Sequence, residues 1–191
     1  MSPSLDDPAV VAAWLAGRFE EDGIEYAIGG ALALGAHGIP RMTDDADFAV
    51  YVEPDALDRF FDSLERAGCL FDRRRAQAEA ERISLVRVRC GRVGVDFFIS
   101  FHPHHHEALK RRVRLPGVDA RDHWFLSAED LAVHKLLLLR PKDVADLERL
   151  FAARGADLDA AYVRRWIHAI TPEPDPRRSA LEDLVRRFCV P

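Results

Sequence analysis

The residues best placed to do chemistry are Asp45 and Asp47, in the stretch IGGALALGAHGIPRMTDDADFAV over positions 28–50. If a strand runs over 46–52, side chains alternate and both carboxylates point to one face. Two like charges held so close disfavour ionisation unless a cation sits between them. Magnesium suits the position, because it takes hard oxygen ligands and is held by one or two carboxylates plus substrate phosphates. Asp96 stands in VGVDFFIS, an otherwise apolar strand over 93–99. A lone carboxylate there needs a partner, since burying it unpaired is very costly. If the two strands are neighbours, Asp96 completes a three-carboxylate cluster. Such a cluster could hold two ions about 3.5–4 Å apart, the arrangement used for phosphoryl transfer. The alternative partner for Asp96 is an arginine nearby: Arg87, Arg89 or Arg92.

Gly29 and Gly30 precede this acidic stretch by about fifteen residues. Glycines at a strand-to-helix turn let backbone N–H groups approach phosphates closely, and a helix N-terminus favours an anion. Taken singly, each feature has a plainer reading. A glycine pair makes turns, and Asp44-Asp45 can cap or turn a chain. The specificity lies in the order: strand, glycine pair, short helix, D-x-D, strand, and later an isolated strand aspartate.

The elements that must position these groups can be read along the chain. Asp7-Pro8 starts a capped helix that ends at Gly23. A strand follows over 25–28, then a short helix broken by Gly38 and Pro40. After the strand at 46–52, an amphipathic helix spans 54–67 with Ala56, Leu57, Phe60, Phe61 and Leu64 on one face. Strands over 82–90 and 93–99 flank Gly91-Arg92 as a hairpin. A helix is expected over 104–112. Ser127 caps another that carries LAVHKLLLLR, and Pro141 opens a helix over 141–154 in a permitted first-turn position. Two more helices fill 158–170 and 176–189. The order predicts an α+β fold, a small mixed β-sheet covered by helices and followed by a C-terminal helical bundle. The expected division is a core over 1–126 and a helical region over 127–191.

Composition bounds the function. The chain has 191 residues, 48% of them hydrophobic, enough for a core without disulfides. Its formal charge is −5, from 27 basic and 32 acidic side chains, which does not by itself indicate nucleic-acid binding. Local basic clusters exist at 73–75 and 110–114. Cys69, Cys90 and Cys189 are widely spaced with no CxxC pair, so they are predicted to be reduced and mostly buried. The acidic N-terminal stretch is expected to be neither a signal peptide nor an anchor, and no apolar run, 136–139 included, is long enough to span a bilayer. The expected location is cytoplasmic, with no membrane partner. His102 and His104–His106 invite a metal reading, but a loop opening a helix explains them better. Trp14, Trp124 and Trp166 are expected in the core.

The ordered set Gly29-Gly30, Arg41, Thr43, Asp45-Ala46-Asp47 and Val95-Asp96 resembles the nucleotidyltransferase superfamily, with its polymerase-beta-like fold. It is most similar to the small AbiEii/AbiGii toxin-like branch, through the glycine pair, the small helix and an R-x-T-x-D-x-D pattern. A second block, LSAEDLAVHKLLLLRPKDVADLERL over 126–150, resembles that branch's helical motif through Lys135, Arg140, Lys142, Asp143 and Asp146. The resemblance implies that Asp45, Asp47 and Asp96 bind magnesium, two ions in all, with an NTP as substrate. Asp96 would also be the base on an acceptor hydroxyl that attacks the α-phosphate and releases pyrophosphate. Gly29, Gly30, Arg41, Thr43, Lys135, Arg140 and Lys142 would contact the nucleotide or its phosphates, with Asp143 and Asp146 supporting them.

Plainer roles exist for several of these. Arg41 and Thr43 can brace the loop that presents the aspartates. Lys135 and Arg140 can be solvated, and Asp143 and Asp146 can balance a helix dipole. On one continuous helix Lys135 and Arg140 would lie about 140° apart, so a shared site needs a break near Pro141. One departure from the pattern is Ala31, where related sequences often carry a hydroxyl. The implied acceptor is the 3′ end of a tRNA or a protein side chain, with a cognate antitoxin as partner. For RNA, the clusters at 73–75 and 110–114 would supply phosphate contacts. The alternatives are an antibiotic-type enzyme acting on a small molecule, and a catalytically silent nucleotide-binding or regulatory module.

Overall fold

The structure, a computed structural model, describes residues 6–99 and 102–189. The chain divides into two compact units, one comprising residues up to Ala36 with Pro40–Leu126, the other His37–Ile39 with the chain from Ser127 onward.

The first unit starts with α1, Pro8–Asp22. Asp7 caps it, its Oδ1 accepting from the backbone N–H of Ala9 at 2.7 Å, and Gly23 ends it in a left-handed conformation at φ 64°. Then come β1 (Glu25–Ile28), α2 (Gly30–Ala36) and β2 (Asp45–Tyr51). A 3-10 turn at Pro54–Ala56 leads into α3, Leu57–Arg66, and α4 (Arg73–Ile83) follows. The remaining elements are β3 (Leu85–Cys90), β4 (Val93–Phe98), α5 (Pro103–Arg111), β5 (Val113–Pro116) and β6 (Asp122–Phe125). They form a six-stranded mixed sheet in the order β3-β4-β2-β1-β6-β5. The β2–β4 and β1–β6 pairs are parallel and the other three antiparallel.

Strand alternation divides β2 into two faces. Ala46, Phe48 and Val50 are buried, whereas Asp45, Asp47 and Tyr51 are only half-buried. The buried face joins Phe97 of β4, Phe19 of α1 and Phe60 of α3. Phe19 meets Phe48 edge-on at 5.8 Å between ring centres, and Phe60 meets Phe97 edge-on at 5.2 Å. Each such ring contributes about 1.5–3 kcal/mol by burial, and tilted or edge contacts suit the ring quadrupoles. The aromatic core therefore fixes which way the carboxylates of β2 and β4 must point.

Three local expectations are corrected. The strand expected from Arg82 begins at Leu85. Before it lies α4, capped by Asp72 and burying Ala76 and Ala80, and Ser84 ends that helix at φ 55°. The hairpin of β5 and β6 was unforeseen, since two four-residue strands carry little periodicity. The cysteines expected to be reduced include a disulfide between Cys69 and Cys90. Its cause is tertiary: Leu70 and Arg89 form an antiparallel bridge, with backbone bonds of 2.8 and 3.0 Å, and this sets their cysteine neighbours opposite each other. Trp14, Trp124 and Trp166 are half-buried rather than enclosed.

The second unit contains α6 (Ala128–Leu138), α7 (Pro141–Arg154), α8 (Ala160–Ile170) and α9 (Pro176–Phe188). Ser127 caps α6 by accepting from the N–H of Asp130 at 3.1 Å. The buried Asp130 carboxylate accepts from the Ser127 hydroxyl at 2.6 Å and from the Tyr162 hydroxyl at 2.6 Å. No described helix is long and apolar enough to cross a membrane.

Candidate functional site

The strand register brings the three expected carboxylates to one face. In the parallel β2–β4 pair, Asp47 lies opposite Asp96 and Asp45 opposite Gly94. In the antiparallel β3–β4 pair, Asp96 lies opposite Arg87 and Gly94 opposite Arg89. Two rows therefore cross the sheet, Arg87–Asp96–Asp47 and Arg89–Gly94–Asp45. Neighbouring strands sit about 4.8 Å apart, so the backbones that carry Asp47 and Asp96 are adjacent.

The glycine pair closes on the same point. Gly29 N–H donates to the carbonyl of Asp47 at 2.8 Å, tying the turn before α2 to β2. Gly30 has φ 55°, and a Cβ there would overlap Oδ2 of Asp47 and come within 2.7 Å of its Cγ. Only a residue without a side chain leaves that carboxylate its place. Thr43 faces Asp45: its hydroxyl lies 2.5 Å from Oδ1 and 3.2 Å from the carbonyl oxygen, as donor to the carboxylate. This is the bracing geometry. Arg41 is half-buried on the preceding loop, with Nη1 donating to the carbonyl of Met42 at 3.0 Å.

The donor set suits a hard divalent cation, being oxygen only and confined to one face. The side chains are not drawn together, however. Among the described residues no three His, Cys, Asp or Glu groups are gathered closely enough to share an ion. Asp45 turns to Thr43, and Asp96 lies 3.4 Å from Nε of Arg87. Of the three arginines near Asp96 in sequence, Arg87 is the one that pairs with it.

The residues expected from the second block lie in the second unit. Leu139, at φ 46°, ends α6, and Arg140 starts α7, so Lys135 and Arg140 are not on one continuous helix. Lys135 is buried, and its Nζ lies 2.6 Å from Oδ2 of Asp146 and 3.7 Å from Oδ1 of Asp143. Asp143 also accepts from Nε of Arg140 at 2.6 Å and from the Arg140 N–H at 3.1 Å. Burial opposes ionisation of Asp143, but the Arg140 hydrogen bonds and the charges of Arg140 and Lys135 outweigh it. Its carboxyl is held below the usual range. The ammonium expected at a phosphate is thus enclosed by carboxylates, while Lys142 is exposed.

Much of the basic clusters expected to meet RNA is engaged internally, with Arg74 exposed. Arg73 pairs with Asp58, Asp62 and Glu65, and Arg75 with Glu79. Arg112 pairs with Glu25 and Arg114 with Glu20, both guanidinium groups lying over Trp124 at 4.4 and 5.0 Å from its centre. The histidines open α5: Nδ1 of His102 accepts from the N–H of His104 at 3.1 Å. His105 is buried, with Nε2 at 3.0 Å from the carbonyl of Val50 and its ring tilted against Tyr51 at 4.3 Å between centres. Burial pushes its imidazole down to about 4, so it is neutral. Phe101 of that stretch lies outside the described residues.

No protein-family model matches the sequence, and no curated protein matches it. Solved structures do. The solution structure of the antibiotic-resistance factor ANT(2″)-Ia is 14% identical with a TM-score of 0.56, covering 94% of this chain and 90% of that one. The crystal structure of ANT(2″)-Ia in complex with adenylyl-2″-tobramycin is 12% identical with a TM-score of 0.52, covering 94% and 98%. An antigenic nucleotidyltransferase-like protein from Paracoccidioides brasiliensis is 16% identical, with a TM-score of 0.48 and 94% of each chain covered. At these identities the likeness is one of architecture: the chain has a nucleotidyltransferase-like fold.

Proposed function

We propose that the chain is a magnesium-dependent nucleotidyltransferase that moves a nucleoside monophosphate from an NTP to a hydroxyl. The observation that carries this is the register of β2 and β4, which sets Asp47 beside Asp96 with Asp45 on the same face and bare Gly30 against Asp47. Magnesium, held by Asp45, Asp47 and Asp96, would supply neutralisation of the phosphate charge. The chain's own residues do the rest. Asp96 takes the proton of the acceptor hydroxyl. That oxygen bonds the α-phosphorus as the bond to the β-phosphate breaks and pyrophosphate leaves. Thr43 holds Asp45 in place, the turn at Gly29 and Gly30 brings the start of α2 toward the triphosphate, and Arg41 on the same unit supplies positive charge for it. Catalysis then rests on positioning and charge rather than covalent chemistry by the protein. Lys135, Arg140, Asp143 and Asp146 shape the corner between α6 and α7.

The AbiEii-like toxin reading, with a tRNA or protein acceptor and an antitoxin partner, belongs to this proposal. So does the small-molecule reading, whose support is the named antibiotic-resistance factor of similar fold. A catalytically silent nucleotide-binding module is the second reading, favoured by the Arg87–Asp96 ion pair and by Ala31 in place of a hydroxyl. The test supplies magnesium and each of the four α-labelled NTPs with total tRNA, with an aminoglycoside and with no acceptor. Transfer that disappears in Asp47→Asn supports the enzyme. Magnesium-dependent NTP binding without transfer to any acceptor supports the silent module, and no NTP binding at all overturns both.

A further inference from the structure

The carboxylate face continues past Asp96 onto the edge strand β3, and what it presents there is positive. Arg87 and Arg89 both point to this face, at the outer ends of the two rows. Gly94 lies between Arg89 and Asp45, and a Cβ built on it would meet nothing within 4 Å, so the floor of that row is open. Most arginines of this unit near the sheet are committed. Arg73 has three carboxylate partners, and Arg112 and Arg114 have one each along with Trp124. Arg89 has no ion pair among the described residues, and its backbone is fixed on both sides, by β4 and by the bridge to Leu70. Arg87 makes a long contact to Asp96, 3.4 Å, with 64% of its side chain exposed. Contacts of that kind are weak and easily surrendered.

This inference rests on the nucleotidyltransferase reading. On that reading the triphosphate lies toward the glycine turn, on the β1 side of Asp47. Attack in line with the leaving pyrophosphate brings the acceptor from the opposite side, over β4 and β3. We propose that Arg87 and Arg89 form an anion-binding wall on the acceptor side, and that the acceptor carries a phosphate beside the hydroxyl it offers. Guanidinium forks bind phosphate oxygens in pairs, so two arginines on alternate positions of one strand suit one or two phosphates. A polycationic acceptor would meet repulsion at the same place.

The experiment uses the full chain and the Arg87→Gln/Arg89→Gln double variant. Binding is measured for three acceptor probes: a short single-stranded RNA with a free 3′-hydroxyl, a nucleoside 5′-monophosphate, and a cationic aminoglycoside. Mn2+ binding and NTP binding are measured on the same proteins. The expected result is that RNA or the monophosphate binds the parent chain and weakens at least tenfold in the double variant, with Mn2+ and NTP affinity no lower than in the parent, since losing Arg87 frees Asp96 from its ion pair. Arg87→Lys/Arg89→Lys keeps the charge but loses the fork, so it should bind the phosphate probes more tightly than the glutamine variant and less tightly than the parent. If RNA alone responds, the phosphate belongs to a polynucleotide, and its salt slope should fall by about 0.7 for each arginine lost from a single-strand contact. If the monophosphate responds equally, a free nucleotide suffices. The proposal is overturned if neither phosphate probe binds, if the double variant binds them as well as the parent, if NTP affinity falls in parallel, or if only the aminoglycoside binds. Failure of the underlying reading looks different: the parent chain then binds neither Mn2+ nor NTP.

Discussion

Replacing Gly30 by alanine should damage both stability and transfer, while the same change at Gly29 should do neither. At Gly30 two costs combine. Its φ of 55° is strained for any residue with a Cβ, which costs about 1 kcal/mol. The new methyl would also overlap Oδ2 of Asp47 and lie 2.7 Å from Cγ and 3.0 Å from Cβ. Ordinary contact needs about 3.5 Å or more, so the carboxylate must withdraw by roughly 1 Å. The short distance to Cβ means that side-chain rotation alone does not relieve the overlap. Forced packing of this kind costs about 1–3 kcal/mol. The expected total is about 2–4 kcal/mol, read by urea unfolding. A catalytic group misplaced by about 1 Å loses on the order of 100-fold in rate, so transfer should fall by that factor. Two matched changes separate the causes. Gly38, at φ 86°, has nothing within 4 Å of a built Cβ, so Gly38→Ala carries the backbone strain alone, about 1 kcal/mol. At Gly29 a Cβ would touch Leu126 Cδ1 at 3.4 Å, an ordinary contact, and Gly29→Ala should stay within about 0.5 kcal/mol. The reasoning is refuted if Gly30→Ala costs no more than Gly38→Ala, or if it loses stability yet transfers at the parent rate.

Opening the Cys69–Cys90 disulfide, 21 residues apart in sequence, should cost about 3 kcal/mol through restored loop entropy; thermal melts with and without reductant check it, and identical melting points would count against it. Lys135→Met strands Asp146 and Asp143 in a buried site and should cost about 3–5 kcal/mol in denaturant unfolding, with much of it recovered in Lys135→Met/Asp146→Leu. A single variant within 1 kcal/mol of the parent would show that the cluster relaxes or hydrates. His105 gives a pH dependence with a definite sign. Its folded value of about 4 lies below the unfolded value near 6.5, so between them the unfolded chain binds the extra proton and stability falls as pH drops. The loss should reach about 3 kcal/mol by pH 4, and His105→Gln should flatten that part of the stability profile; an unchanged slope would assign it to other groups.

The elements that carry the site were legible because local signals there agree with tertiary ones. Asp7-Pro8 and Gly23 bracket α1, and alternation over 46–52 predicted that Asp45 and Asp47 share a face. That Asp96 stands beside Asp47 rested on an assumption about strand order, and the parallel β2–β4 pair supplies it. What the sequence did not disclose depends on distant partners. No spacing rule links Cys69 to Cys90, which meet only because Leu70 bridges Arg89. The 73–75 cluster reads as a free basic patch until α3 presents Asp58, Asp62 and Glu65 to Arg73. Lys135 reads as solvated or phosphate-binding until the turn at Leu139 brings Asp146 back over it. The glycine pair was legible as a turn, but the division of labour within it was not. Gly29 makes the hydrogen bond to Asp47, and Gly30 leaves room for the carboxylate.

These pairings change what the net charge says about the acceptor. A total of −5 argues weakly against a polyanionic partner only if the cations are spread evenly and equally available. They are not. Most arginines of the clusters that look most basic in sequence are paired with carboxylates of their own unit, and Trp124 packs under two of them. Arg87 and Arg89 do not look like a cluster, being separated by Val88 in a strand that otherwise reads as core. Strand alternation places both on the carboxylate face, and edge position leaves them exposed. Long-range steering by the whole chain would then be unfavourable to an anion, while the last few ångströms, within a Debye length of about 8 Å at physiological salt, would favour it. Such a protein would bind a phosphate-bearing acceptor slowly and selectively. Raising the salt should therefore speed encounter with the negatively charged chain as it weakens the final contact, and the two effects separate in association and dissociation rates measured across ionic strength.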